Sequence, residues 1–197
     1  MAYDDFKIVL CNLSEILGAE GIEWAITGAV AANQYRDEVR ATTDLDVILA
    51  LAGESIDIVR DALQKRGWSS TDVVADWLLR AEHPRAGRLD ILATTTEYEV
   101  GAIARSNQVA FDFDNDHTFN VLAIEDVLIL KLVADRYSDN ADVESILATY
   151  PKLDWDYMGK WIATFELEER LRRIEDGALK AGILTRKIIP SLDRRNT

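Results

Sequence analysis

The chain has 197 residues, 48% of them hydrophobic, with three prolines, ten glycines and a formal charge of −13. That is enough chain for one good core, or a core with a helical appendage. The charge excludes a broad basic surface for long nucleic acid, and it leaves acidic clusters either solvated or holding cations.

In chain order, apolar residues from Asp4 to Leu17 recur at helical spacing, and Gly18 and Gly21 close that helix. The opening MAYDDFKIVL has acids where a secretory signal has bases, and no window approaches the apolar length of a membrane span. The single cysteine, Cys11, reads as a small buried hydrophobe, and a cytoplasmic location without a membrane partner is expected. EWAIT is a short strand broken by Gly28, AVAANQYR a helix and DLDVILAL the next strand. A helix over Ser55–Arg66 stops at Gly67, and a further helix is expected over Thr71–Glu82. RLDILAT is a strand and EYEVGAIARS a short helix. VAFDF and TFNVLA read as edge strands joined by an acidic turn. From Glu125 the pattern turns helical: EDVLILKLVADRY, ADVESILATY, then one or two helices over Asp156–Leu184. The expected organisation is an α/β core over 1–124 and a helical extension over 125–197.

Aspartate is depleted in strands, yet RATTDLDVIL places Asp44 and Asp46 inside an apolar run. Residues two apart share one face of a strand, about 6–7 Å apart. The two carboxylates therefore point together while Leu45 and Val47 face the core, and such a pair suits a hard divalent cation such as Mg²⁺. Asp90 in RLDIL has the same apolar flanks. If its strand lies beside the first, it completes a triad suited to two-metal phosphoryl or nucleotidyl transfer. The plainer alternative is a solvent-facing pair at a strand end. Upstream, Gly28 between strand and helix would let phosphate oxygens approach backbone N–H groups.

The succession of strand, Gly turn, helix, basic loop, Thr43 and Asp-x-Asp resembles the nucleotidyltransferase superfamily that includes DNA polymerase β. It is more closely similar to the AbiEii/AbiGii-type toxin nucleotidyltransferases and their stand-alone relatives. Four pieces carry the likeness: TGAVAANQYR…RATTDLDVIL, RLDIL, AIEDVLILKLVADR and SDNADVESIL, together spanning about Trp24 to Leu147. The resemblance implies a mixed sheet flanked by helices, followed by a helical C-terminal part. It implies catalytic, metal-binding Asp44, Asp46 and Asp90 with two Mg²⁺ ions. It also implies nucleotide contacts at Gly28, Ala29, Arg40, Thr43, Lys131 and Asp139, with Asp142 anchoring or completing the site. Ala29 stands where the family carries Ser or Gly, so this turn lacks one hydroxyl; Thr27 is the alternative donor.

Read from the residues alone, Lys131 is first a snorkelling lysine on an apolar helix, while Asp139 is as much a cap for the helix carrying Asp142 as a site residue. Arg36 and Arg40 either clamp phosphates or offset Asp37 and Glu38. DFDNDH sets Asp112, Asp114 and Asp116 at the opening spacing of a calcium loop, but His117 and Ala123 occupy the positions that need Gly and Glu. Neither histidine has a zinc-ligand neighbour, and there is no P-loop or G-x-S-x-G. Trp155, Trp161 and Phe165 are expected to pack the helical tail. The apolar face of Leu167, Leu171, Ile174 and Leu179 docks on its own core or on a partner.

The expected function is Mg²⁺-dependent transfer of an NMP from a nucleoside triphosphate to a hydroxyl acceptor, in a toxin–antitoxin setting with a cognate antitoxin or toxin. The acceptor is open among a protein, an RNA end and a small molecule. The alternative is a catalytically degenerate binding protein of the same fold.

Overall fold

The computed structural model describes residues 3–190, apart from residues 75, 86, 95, 113 and 151. The chain forms two compact units. One holds the described residues up to Ala31 together with Arg40–Ala123; the other holds Ala32–Val39 and the residues from Ile124 onward. The sequence alone draws a single cut at 124/125. Residues 32–39 group with the helical unit because Arg36 pairs with Asp142 and the Tyr35 ring meets Tyr150 edge-on.

In the first unit, helix α1 (Tyr3–Ala19) precedes strand β1 (Glu23–Ile26), helix α2 (Gly28–Asn33) and strand β2 (Asp44–Ala50). Then come α3 (Asp57–Gln64), β3 (Ser69–Val74), β4 (Leu78–His83), β5 (Gly87–Thr94), α4 (Glu97–Ala104), β6 (Asn107–Phe111) and β7 (Asp114–Val121). The seven strands form one mixed sheet in the order β3-β4-β5-β2-β1-β7-β6. β2–β5 and β1–β7 run parallel, and the other neighbours are antiparallel. Val9, Leu10, Leu13 and Leu17 of α1 are buried, as are Leu45, Val47, Leu89 and Ile91 of the central strands. Half-buried Cys11 is less enclosed than its sequence context implies.

Two expectations are corrected. Thr71–Glu82 is not a helix: it lies in the β3–β4 hairpin, paired Ser69↔Glu82 through Asp72↔Leu79. Leu79 and Ala81 are buried while Arg80 and Glu82 face outward, a period of two that outweighs the helix-like apolar content. β7 is not an edge strand either, because it lies between β1 and β6; of the two strands read as edges, β6 alone takes one. The side chains of Asp114 and Asp116 lie outside the described residues.

The second unit contains α5 (Ile124–Ala134), α6 (Tyr137–Thr149), α7 (Trp155–Thr164) and α8 (Glu168–Lys180). Val127, Leu128, Leu132, Val143, Ile146, Leu147, Met158, Ile162 and Leu171 form its core. Leu167, Leu171 and Ile174 are buried within this unit, so the amphipathic tail docks on its own chain. Met158 and Ile162, rather than the aromatics, face inward from α7; Trp161 stacks on the exposed Phe165 at 5.8 Å. Buried Glu175 accepts from the N–H groups of Ile188 and Ile189 and so holds the segment after α8. No helix among the described residues is long and apolar enough to cross a membrane.

Candidate active site

The parallel register of β2 and β5 sets Asp46 directly beside Asp90, and Asp44 beside Arg88. Adjacent strands lie about 4.8 Å apart, and directly paired residues share a face. Antiparallel pairing of β4 with β5 then adds Arg80 next to Asp90 and Glu82 next to Arg88. One sheet face thus carries Asp44, Asp46, Glu82 and Asp90 together with Arg80 and Arg88, while Leu45, Val47, Leu89 and Ile91 turn to the opposite face and are buried. An isolated buried charge is costly, so the four acids occupy the half-exposed side.

The two arginines organise the carboxylates. Arg80 donates from Nε to Asp90 Oδ1 and from its terminal nitrogen to Asp90 Oδ2, both at 2.7 Å. This is the forked geometry in which Arg–carboxylate pairing is strongest. The hydrogen bond and charge of Asp90 hold the Arg80 guanidinium still more firmly protonated than usual. Arg88 donates to Asp44 Oδ2, and its Nε is buried without a hydrogen-bond partner, 4.0 Å from Asp90 Oδ1. Thr43 donates to Asp44 Oδ1 at 3.0 Å, and Thr42 bonds the Asp44 backbone.

Gly28 closes on Asp46. Its φ is +64°, and a Cβ there would stand 2.0 Å from Asp46 Oδ2. Only glycine meets both conditions. The Thr27 N–H also donates to the Asp46 carbonyl at 2.9 Å. Helix α2 has only six residues, so close backbone approach at Gly28 counts for more here than a helix dipole. Ala29 and Thr27 are buried, and Arg40 is half-buried just before β2. Beside Asp44 an open cavity of about 520 Å³ is lined by Thr43, Ser69, Glu82, His83, Gly87 and Arg88.

Asp44 and Asp46 are hard oxygen donors of the kind a divalent cation takes, and they fit one. Among the described residues, however, no three His, Cys, Asp or Glu groups are assembled as a ready cation cage. In this arrangement Arg80 donates to both oxygens of Asp90, and Arg88 donates to one of Asp44.

Lys131, Asp139 and Asp142 belong to the second unit. The Lys131 ammonium lies 2.7 Å from Asp139 Oδ1 and 2.8 Å from Asp142 Oδ2, with its side chain 5% exposed. It therefore does not snorkel. Both aspartates are fully buried. Asp139 does not cap α6, because that helix begins two residues earlier with Arg136 at its cap position. It sits in the first turn, where Arg136 Nε donates to it at 2.6 Å. Burial by itself raises the Asp139 pKa, but the hydrogen bonds from Arg136 and Lys131 outweigh it and leave the carboxyl below its usual value. Arg36 donates to Asp142 and ties residues 32–39 to α6.

Sequence reasoning missed Arg80 and Arg88 as partners of the aspartates. The signal for Arg88 was its place two residues before Asp90, on the same face of one strand. Arg80 lay hidden in the stretch read as helix, although the alternation through Leu79, Arg80, Ala81 and Glu82 marks a strand.

No protein-family profile matches the sequence, and no curated protein matches it. Solved structures do match. An antigenic nucleotidyltransferase-like protein from Paracoccidioides brasiliensis aligns over 98% of this chain and 98% of its own, at TM-score 0.56 and 15% identity. The antibiotic-resistance factor ANT(2'')-Ia aligns over 88% of this chain and 97% of its own, at TM-score 0.56 and 15% identity. The lincosamide antibiotic adenylyltransferase LnuA aligns over 74% and 96%, at TM-score 0.51 and 14% identity. The chain therefore has the mixed α/β fold of the nucleotidyltransferase-like proteins.

Proposed function

We propose that this protein is a nucleotidyltransferase that moves an NMP from a nucleoside triphosphate to a hydroxyl acceptor. The observation that carries the reading is the placement of Asp44, Asp46 and Asp90 on one face of two paired parallel strands, with the Gly28 backbone against the Asp46 carboxylate. Four carboxylates and two guanidiniums leave that face with a net charge of −2, which one Mg²⁺ neutralises. When bound, Mg²⁺ would be held by Asp44 and Asp46, would polarise the phosphate oxygens and would lower the charge met by the incoming nucleophile. The resemblance implies two ions, with Asp90 as a further ligand to one of them. Once Arg80 releases one of its oxygens, Asp90 accepts the proton of the acceptor hydroxyl; the acceptor oxygen bonds to the α-phosphorus as the bond to the pyrophosphate oxygen breaks, and pyrophosphate leaves. The Gly28 backbone and the Thr43 hydroxyl line the approach of the phosphates.

The toxin-type assignment rests on the resemblance of the four AbiEii-like segments. A small-molecule acceptor has separate support: two fold neighbours that align over 96–97% of their length are named for antibiotic resistance or antibiotic adenylylation. The cavity beside Asp44 also has the size of a small-ligand site. The test is incubation with each α-labelled NTP and Mg²⁺, in cell extract and with polyhydroxylated amines. Label should transfer to an acceptor with the wild type and not with Asp46→Asn. Absence of nucleotide binding and transfer under all these conditions supports the degenerate binding protein instead.

A further inference from the structure

We propose that Arg80 is a resident counter-ion for Asp90 that competes with the divalent cation, so that the site rests in an arginine-locked state. The inference rests on the cation-binding reading above and concerns a residue that reading does not use.

The geometry carries it. Both Asp90 oxygens accept from Arg80 at 2.7 Å, and the pair stands on adjacent antiparallel strands in direct register. Arg80 is part of the sheet rather than of a loop, so its backbone stands opposite Asp90 whenever the β4–β5 hairpin is formed. Its side chain is 35% exposed and that of Asp90 15%, so the guanidinium has room to swing outward while the carboxylate stays in place. Arg88, close to Asp44 and Asp90, repeats the pattern. A scaffold that only needed Asp90 buried would not place a second positive charge 4.0 Å from it. A cation entering among Asp44, Asp46 and Asp90 meets repulsion from Arg80 and must share or displace its hydrogen bonds. Arg80 is thus a positioning residue that sets how tightly the cation is held and when Asp90 joins it.

The experiment is Mn²⁺ titration by calorimetry and paramagnetic resonance on the full chain, without nucleotide. The proteins are wild type, Asp46→Asn, Arg80→Met, Arg80→Lys, Asp90→Asn and the double variant Arg80→Met/Asp90→Asn. Arg80→Met should bind Mn²⁺ about tenfold more tightly than wild type. That is the Coulomb effect of removing one unit charge roughly 6 Å from a divalent ion in a water-like dielectric of about 80. Lysine keeps the charge but cannot fork both oxygens, so Arg80→Lys should gain less, in the same direction. The gain from Arg80→Met should shrink in the Asp90→Asn background, because without the Asp90 carboxylate the guanidinium is no longer held beside the cation site. Unchanged or weaker binding by Arg80→Met overturns the proposal, and so does an equal gain with and without Asp90. Should Arg80→Met fail to fold by circular dichroism, Arg80→Lys decides by the same sign. If no protein binds Mn²⁺ in a manner lost with Asp46→Asn, the cation reading itself fails and takes this inference with it.

Discussion

Replacing Lys131 by alanine separates a phosphate-binding lysine from a structural one. Its ammonium contacts two fully buried aspartates at 2.7 and 2.8 Å. Removing one partner from a buried ion pair costs about 3–5 kcal/mol, because the remaining charge is left uncompensated. Here each aspartate keeps one guanidinium: Asp139 keeps Arg136, which is 70% exposed, and Asp142 keeps Arg36. The lower half of that range is therefore expected, about 3–4 kcal/mol. For a chain of this size that is a fall of roughly 6–16 °C in Tm, at about 2–4 °C per kcal/mol. Denaturant and thermal melts measure it directly. The pH dependence supplies a second check. The folded-state pKa of Asp139 is depressed, so its contribution is present above the unfolded value of about 3.9 and is lost as pH falls through the lower folded value. Without Lys131 the depression shrinks. The gap between wild type and variant should then be full near pH 7 and should narrow on acidification below about pH 4. A variant within 0.5 kcal/mol of wild type without ligand (roughly the scatter of neutral surface changes) would refute the structural account and return Lys131 to the phosphates.

Asp46→Asn should leave the ligand-free protein as stable as wild type or slightly more so, since one of the facing acids is neutralised. Wild type should gain about 2.7 kcal/mol with Mg²⁺–NTP at a hundredfold excess over Kd, and the variant should gain far less, as read from paired melting curves. Gly28→Ala should lose at least about 2 kcal/mol, since its φ of +64° disfavours a side chain and the added Cβ would overlap the Asp46 carboxylate. A melt unchanged from wild type would mean that Gly28 does not close on Asp46. Tyr157→Phe removes the hydroxyl that donates to the fully buried Asp126 and should cost about 1–3 kcal/mol in chemical denaturation. A loss below 0.5 kcal/mol would show that the contact is replaceable.

By itself the sequence determined the local facts of the site. Strand parity fixed Asp44 and Asp46 to one face and Leu45 and Val47 to the other, because side chains alternate at every residue. Gly28 between a strand and a helix marked a turn, whose positive φ only the structure gives. The helical periodicity after Glu125 anticipated the helices from α5 to α8. What lies across strands was not legible, because a one-dimensional pattern carries no register. That Asp46 neighbours Asp90 rather than another residue of β5 follows from the parallel pairing of β2 with β5. Arg80 reaches Asp90 only because β4 returns antiparallel beside it. The helix read over Thr71–Glu82 failed for the same reason: its leucines and alanines suit either period, and pairing of β4 with β5 selects the strand. Lys131 offers the same lesson in the helical unit. An apolar helix with one lysine leaves open whether the ammonium reaches solvent, a ligand or a carboxylate. Packing α6 against α5 answered it by burying two aspartates within 2.8 Å, since two buried carboxylates need a positive charge beside them.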